Sequence, residues 1–168
     1  MMDLLEGIYS RRSVRNYTNE NPTGEQVLEI INAGSWAPSG LNNQPWRFVI
    51  VRDPEIRRQL AGLTRYRHII DTAPVAIAVF CDREVMYNDV KDHQAMGACL
   101  QNMLLAAHGL GLGAVWLGEI LKSADEVGHL LRVSPQMELM AVVTVGHPAD
   151  TDRRSSRTAM EKLILAEF

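Results

Sequence analysis

The chain has 168 residues, a hydrophobic fraction of 46%, a charged fraction of 22% and a formal net charge of −3. One domain of this length buries roughly 70% of its unfolded surface, which is enough for a core without disulfide staples. These values exclude a disordered chain, a fibrous repeat and a disulfide miniprotein, and the weak negative charge gives no global basic field for nucleic acid.

Met2 to Ser10 spaces Leu4, Leu5, Ile8 and Tyr9 helically and runs into the basic cluster Arg11-Arg12-Ser13-Val14-Arg15. This start is charged early and carries no apolar leader, so the expected location is cytoplasmic. Thr23 with Gln26 forms a capping box, with Pro22 before it, over a helix carrying Val27, Leu28, Ile30 and Ile31 and fading at Gly34. Ala37 to Pro45 is dense in turn formers, and Trp46 to Val51 reads as a strand. Asp53-Pro54 opens a short helix with proline at its first position.

Ala73 to Phe80 is a continuous apolar run of strand length, as expected for a strand buried on both faces. Lys91 to His108 is the longest helical pattern. Its apolar positions (Ala95, Met96, Cys99, Leu100, Met103, Leu104, Ala107) make a stripe too wide for a surface helix. Gly109, Gly111 and Gly113 end it, and Ala114 to Leu117 reads as a brief strand. Ser123 and Glu126 predict a second capping box, Met137 to Val145 a strand, and Thr158 the start of a final short helix. Leading helices followed by strands alternating with helices indicate an α+β fold, a mixed central sheet flanked by helices in a single domain.

Chemistry is concentrated in a few places. Arginine supplies 14 of the 17 basic residues. Arg11, Arg12 and Arg15, with the Ser13 hydroxyl among them, suit a phosphate, which paired guanidinium forks saturate. A second cluster, Arg153, Arg154 and Arg157, lies near the other end of the chain. Pro38-Ser39-Gly40-Leu41-Asn42-Asn43-Gln44-Pro45 offers hydroxyl, amide and backbone donors in a constrained loop, suited to the mixed edge of a heterocycle. The glycines of Gly109-Leu-Gly-Leu-Gly113 follow a helix rather than opening one, so they are read as helix termination and not as a dinucleotide loop. Cys81 and Cys99 have no CxxC spacing, and the five histidines have no metal-ligand spacing. No nucleophile with its base is legible, so no protein side chain is expected to form a covalent intermediate. Phosphate-gripping and amide-edge chemistry without a protein nucleophile fits an enzyme whose cofactor carries the reaction.

These segments resemble the FMN-dependent nitroreductase family. The resemblance rests on Ser10-Arg-Arg-Ser-Val-Arg-Asn-Tyr17 and on Ala37-Pro-Ser-Gly-Leu-Asn-Asn-Gln-Pro-Trp46 before a strand. It continues through Ala73-Pro-Val-Ala-Ile-Ala-Val-Phe80, Gly109-Leu-Gly-Leu-Gly-Ala-Val-Trp-Leu-Gly118, and Val145-Gly-His-Pro148 with the later Arg157. It spans nearly the whole chain and implies a homodimer with two FMN sites at the subunit interface. By resemblance, Arg11, Ser13 and Arg157 hold the FMN phosphate with Arg12 close by, and Arg15 lies near the pyrimidine edge. Pro38, Ser39 and Gly40, with Asn42 and Gln44 in the same element, belong to the loop laid against the partner's flavin. Trp116, Leu117 and Gly118 are the segment whose backbone N–H reaches flavin N5. The implied activity is ping-pong hydride transfer from NADH or NADPH to a nitroaromatic, quinone or similar acceptor. The alternatives are a specialised flavin-cleaving or dehalogenating member, or a flavin-binding regulatory or storage protein. Between Val51 and Ala73 the chain is shorter than many relatives, with Arg65-Tyr-Arg-His68 in place of extra helices. The short C-terminal tail argues against a long arm around the partner.

Overall fold

A computed structural model describes residues 3–150 and 155–168. The short helix α1 (Leu4–Ser10) is capped by Asp3, whose carboxylate accepts from the amides of Leu5 and Glu6. In α2 (Gly24–Ser35) the capping box is complete: Thr23 Oγ1 accepts from Gln26 N at 3.1 Å, and Gln26 Oε1 accepts from Thr23 N at 2.9 Å. Strand β1 (Trp46–Val51) leads to α3 (Pro54–Ala61), which begins with proline under an Asp53 cap. A further helix, α4 (Arg67–Thr72), has no counterpart in the sequence reading. Strand β2 (Val75–Asp82), the central helix α5 (Asp89–Gly109), β3 (Gly113–Leu117), α6 (Ala124–Leu131) and β4 (Met137–Gly146) complete the order.

The four strands form one sheet in the order β1-β2-β4-β3 with every neighbouring pair antiparallel. Every residue of β2 is buried, and its side chains alternate between two cores. Val75, Ile77, Val79 and Cys81 meet α2 and α5 on one face. Ala76, Ala78 and Phe80 meet Leu60, Ile69 and Ile70 of α3 and α4, and Val127 of α6, on the other. The result is a helix–sheet–helix sandwich, which is why the apolar run needs no polar positions. The wide stripe of α5 is explained by its position: it packs under α2 on one side and on the sheet on the other. Cys81 and Cys99 are buried and free, and burial pushes their thiols up to about 11 and about 12.

Two expectations fail. Ser123 makes no side-chain cap on α6. A 3₁₀ turn over Glu119–Ser123 leads straight into the helix and leaves Ser123 at φ −115°, ψ 31°, not in the extended conformation that a capping residue adopts. The helix expected from Thr158 is absent; residues 155–168 are exposed, with one 3₁₀ turn over Met160–Lys162. A short amphipathic stretch with no surface to bury against does not sustain a helix. Among the described residues, no helix is long and apolar enough to cross a membrane.

Candidate functional site

The segment after α1 runs along the outer edge of the sheet. β3 is an edge strand, and Ser13 forms a parallel bridge to Ala114, with Val14 N donating to Ala114 O at 3.0 Å. Close approach here requires Gly113, because a Cβ at that position would lie 2.6 Å from Val14. The turn from α5 into β3 passes through Gly111 at φ +74°. Farther on, the Tyr17 hydroxyl donates to Val14 O at 2.8 Å and meets the Thr144 hydroxyl at 2.7 Å, while Tyr17 bridges Pro148. The Arg11–Arg15 segment is thus held against the sheet at both ends.

At its first end lies a cavity of about 290 Å³, lined in part by Ser10, Arg11, Arg12, His108, Leu112 and Ala114. Arg11 Nε and Nη1 are buried there without a hydrogen-bond partner. Burial, the Arg157 charge and the Arg12 charge, in that order, lower the Arg11 pKa. Arg12 is oriented by donating to Tyr9 O (2.8 Å) and Arg11 O (2.9 Å). Arg157, far off in sequence, lies close enough to repel Arg11; Arg153 and Arg154 lie outside the described residues. Orphaned guanidinium donors inside a cluster of like charge are costly for the protein alone and are relieved by an anion with several acceptor oxygens. The residues therefore fit a phosphate.

At the other end a second cavity, about 350 Å³, is lined by Arg15, Tyr66, Ile69 and the run from Val115 to Glu119. Past Ala114, and among the described residues, the outer edge of β3 has no ladder partner; since the backbone of Ala114 faces outward, so by alternation does that of Trp116, while Leu117 is paired with Val142 of β4 and Gly118 lies just past the strand. Arg15 follows Arg11 by four positions, at most about 14 Å of extended chain. The strip thus spaces the phosphate-fitting cavity from the second cavity. Glu119 closes this end by accepting from Thr64 Oγ1 (2.6 Å), Arg65 N (3.2 Å) and Lys122 Nζ. Its carboxyl is held down at about 2, mainly by Lys122 and Thr64.

The third predicted group lies elsewhere. Pro38, Ser39 and Gly40 border a shallow depression with Lys91, Gln94, Ala95 and Ala98, toward the start of α5. His108, in the phosphate-fitting cavity, is ten to seventeen residues farther along α5, about 15–25 Å at 1.5 Å per residue. One chain does not bring this loop to the arginines. The loop is firmly shaped: Leu41, Asn42 and Gln44 all have positive φ (54°, 55° and 48°), and Ser39 Oγ accepts from Gln44 N at 3.1 Å. Asn43 anchors it by donating to the buried Asp92 carboxylate at 2.7 Å, which also accepts from the amides of Tyr87 (2.9 Å) and Asn88 (2.8 Å).

Sequence reasoning missed Asp92, Glu119 and His108. The first two act through partners 49 and 55 residues away. His108 shares with the other histidines the lack of ligand spacing, and its only sequence signal is its place in the last turn before Gly109.

The comparisons agree with this architecture. A structure from Desulfovibrio desulfuricans, assigned as a nitroreductase and solved in complex with FMN, is 50% identical, with a TM-score of 0.94 over 99% of this chain and 98% of that one. A Methanothermobacter thermautotrophicus protein assigned as NADH dehydrogenase/NAD(P)H nitroreductase is 34% identical over 89% of this chain and 79% of its own. An FMN reductase [NAD(P)H] of Bacillus subtilis is 27% identical over 96% of this chain and 72% of its own. The nitroreductase family model matches residues 8–65 and 62–147, covering the arginine strip, the loop, α5 and the whole sheet: the chain belongs to the nitroreductase family.

Proposed function

We propose that the protein is an FMN-dependent oxidoreductase, active as a homodimer, that passes hydride from NADH or NADPH to a nitroaromatic, quinone or similar acceptor. The observation that carries this reading is the buried, partnerless pair of donors on Arg11 with Arg12 and Arg157 beside it. When bound, FMN supplies the redox chemistry, hydride entering and leaving at N5 in two half-reactions.

The chain's own residues bind and orient. Arg11, Ser13 and Arg157 hold the phosphate, with Arg12 contributing charge nearby. Arg15 presents a cation to the pyrimidine edge, where reduction concentrates negative charge. The segment Trp116, Leu117 and Gly118, at the open edge of β3 and just past it, would offer a backbone donor to the flavin at N5. These residues act through backbone position, and none moves a proton. Pro38, Ser39, Gly40, Asn42 and Gln44 serve the partner's site. The distance along α5 supports that division. So do the exposed apolar side chains Tyr9 (72%), Trp36 (81%) and Leu41 (85%), which a monomer would leave in water.

The test is spectroscopic. The purified protein should show the absorbance bands of oxidised flavin, which should bleach on rapid mixing with NADH or NADPH. A protein that neither carries nor takes up FMN would overturn the reading. Bound flavin that neither nicotinamide reduces would make the chain a flavin-binding protein instead.

A further inference from the structure

His108 lies in the last turn of α5, in the phosphate-fitting cavity beside Arg11 and Arg12. Its hydrogen-bond partner settles which ring nitrogen carries the proton. Ser10 Oγ has one hydrogen and lies 2.7 Å from Glu6 O, which can only accept. The hydroxyl therefore accepts from His108 Nε2, 2.8 Å away. With Nε2 committed as a donor, only Nδ1 remains to gain or lose a proton. The charges on and around this cavity come from several elements. Arg11, Arg12 and Glu6 belong to α1 and its continuation. Asp150, beyond β4, lines the same cavity and accepts from Asn16 Nδ2 at 3.1 Å. Arg157 adjoins Arg11. The C-terminal end of α5 favours an imidazolium. Burial and the two guanidiniums outweigh it, so His108 is held below the ordinary histidine range.

We propose that His108 is the proton-linked member of the phosphate site: capture of a phosphomonoester there protonates Nδ1, the proton coming from the buffer, whereas a ligand lacking phosphate takes up none. The dianion cancels the arginine repulsion that keeps the ring neutral and leaves the helix terminus to favour the cation. This rests on the FMN reading above.

The flavin-free full-length chain is titrated with FMN between about pH 7 and about pH 8.5, where a phosphomonoester is already dianionic. Affinity should weaken about three- to tenfold per pH unit as the proton becomes scarcer. His108→Gln, which keeps a donor toward Ser10 but does not titrate, should be flat, whereas Asp150→Asn should keep the slope. In the wild-type chain, imidazole NMR should find the His108 pKa raised by at least about two units on FMN binding, the rise that a slope of this size requires. A flat wild-type profile, a slope surviving His108→Gln or vanishing in Asp150→Asn, or an unmoved His108 pKa overturns the proposal. Arg11→Ala separates the two readings: if it weakens FMN and riboflavin equally, the phosphate assignment itself falls, whatever His108 does.

Discussion

Arg11→Ala tests the phosphate site from both sides of the binding equilibrium. In the flavin-free protein Arg11 buries two unpaired donor nitrogens beside two like charges. Truncation should therefore leave the thermal midpoint unchanged or raise it, the opposite of the usual outcome for a buried side chain. In the complex the same side chain contributes charge-assisted hydrogen bonds worth about 1.5–3 kcal/mol. Their loss corresponds to about 10- to 150-fold in the FMN dissociation constant. Riboflavin has no phosphate and should shift by no more than about threefold in the same assay. Fluorescence titration of both ligands against both proteins, with melting curves with and without FMN, gives all four quantities. The FMN-dependent gain in stability should shrink by about 2.7 kcal/mol for a 100-fold weaker site. Equal losses for the two ligands, or a flavin-free variant clearly less stable than its parent, would refute the reasoning.

Arg15→Gln should lower the flavin midpoint potential and slow reduction more than it weakens binding, because a cation near the pyrimidine edge favours the reduced anion; a redox titration of the loaded variant checks this. Asp92→Ala should cost on the order of 3 kcal/mol in chemical denaturation, since three donors lose a charged acceptor, and should loosen the Pro38–Gln44 loop, read as faster proteolysis there. Hydrogen bonds from Asn88, Asn43 and Tyr87 outweigh burial and lower the Asp92 pKa. Glu119, at about 2, is also depressed. Both therefore stabilise the fold fully above the unfolded carboxylate range near pH 4, and that stability drains away as pH falls through their folded values; acid denaturation of Asp92→Asn and Glu119→Gln should show a shallower limb. Gly113→Ala should push Val14 and the arginine strip off β3, weakening FMN binding in a protein whose circular dichroism is unchanged.

Much of the fold is legible in the sequence because its causes are local. The Thr23–Gln26 box and Pro54 at the start of α3 act within a few residues and appear where expected, and the apolar run from Ala73 to Phe80 becomes a strand that starts two residues later and ends two residues later, at Val75–Asp82, because Ala73 caps α4. The same signature at Ser123 and Glu126 fails because the preceding 3₁₀ turn governs the backbone there. Helix α4 leaves little trace in the sequence because its six residues carry one buried pair, Ile69 and Ile70, and no side-chain cap. In the candidate site, contiguous residues such as Arg11, Arg12 and Ser13 stand out in the sequence, and the glycines at 111 and 113 mark the turn beside them. That Arg157 joins Arg11, and that His108 points its hydrogen at Ser10, depends on how α5 and the chain terminus return to α1.

The length of α5 has a genetic consequence. With the arginine strip at one end of the helix and the Pro38–Gln44 loop toward the other, each site in the proposed dimer is a mosaic of two polypeptides. A subunit damaged only at Arg11 still lends an intact loop, and a subunit damaged only in the loop still lends intact arginines. Mixing two such inactive proteins under exchange conditions would give hybrids with one whole site and one doubly broken site. Activity would reappear from two dead parents, and it would fade on dilution as the square of the chain concentration once the subunits part.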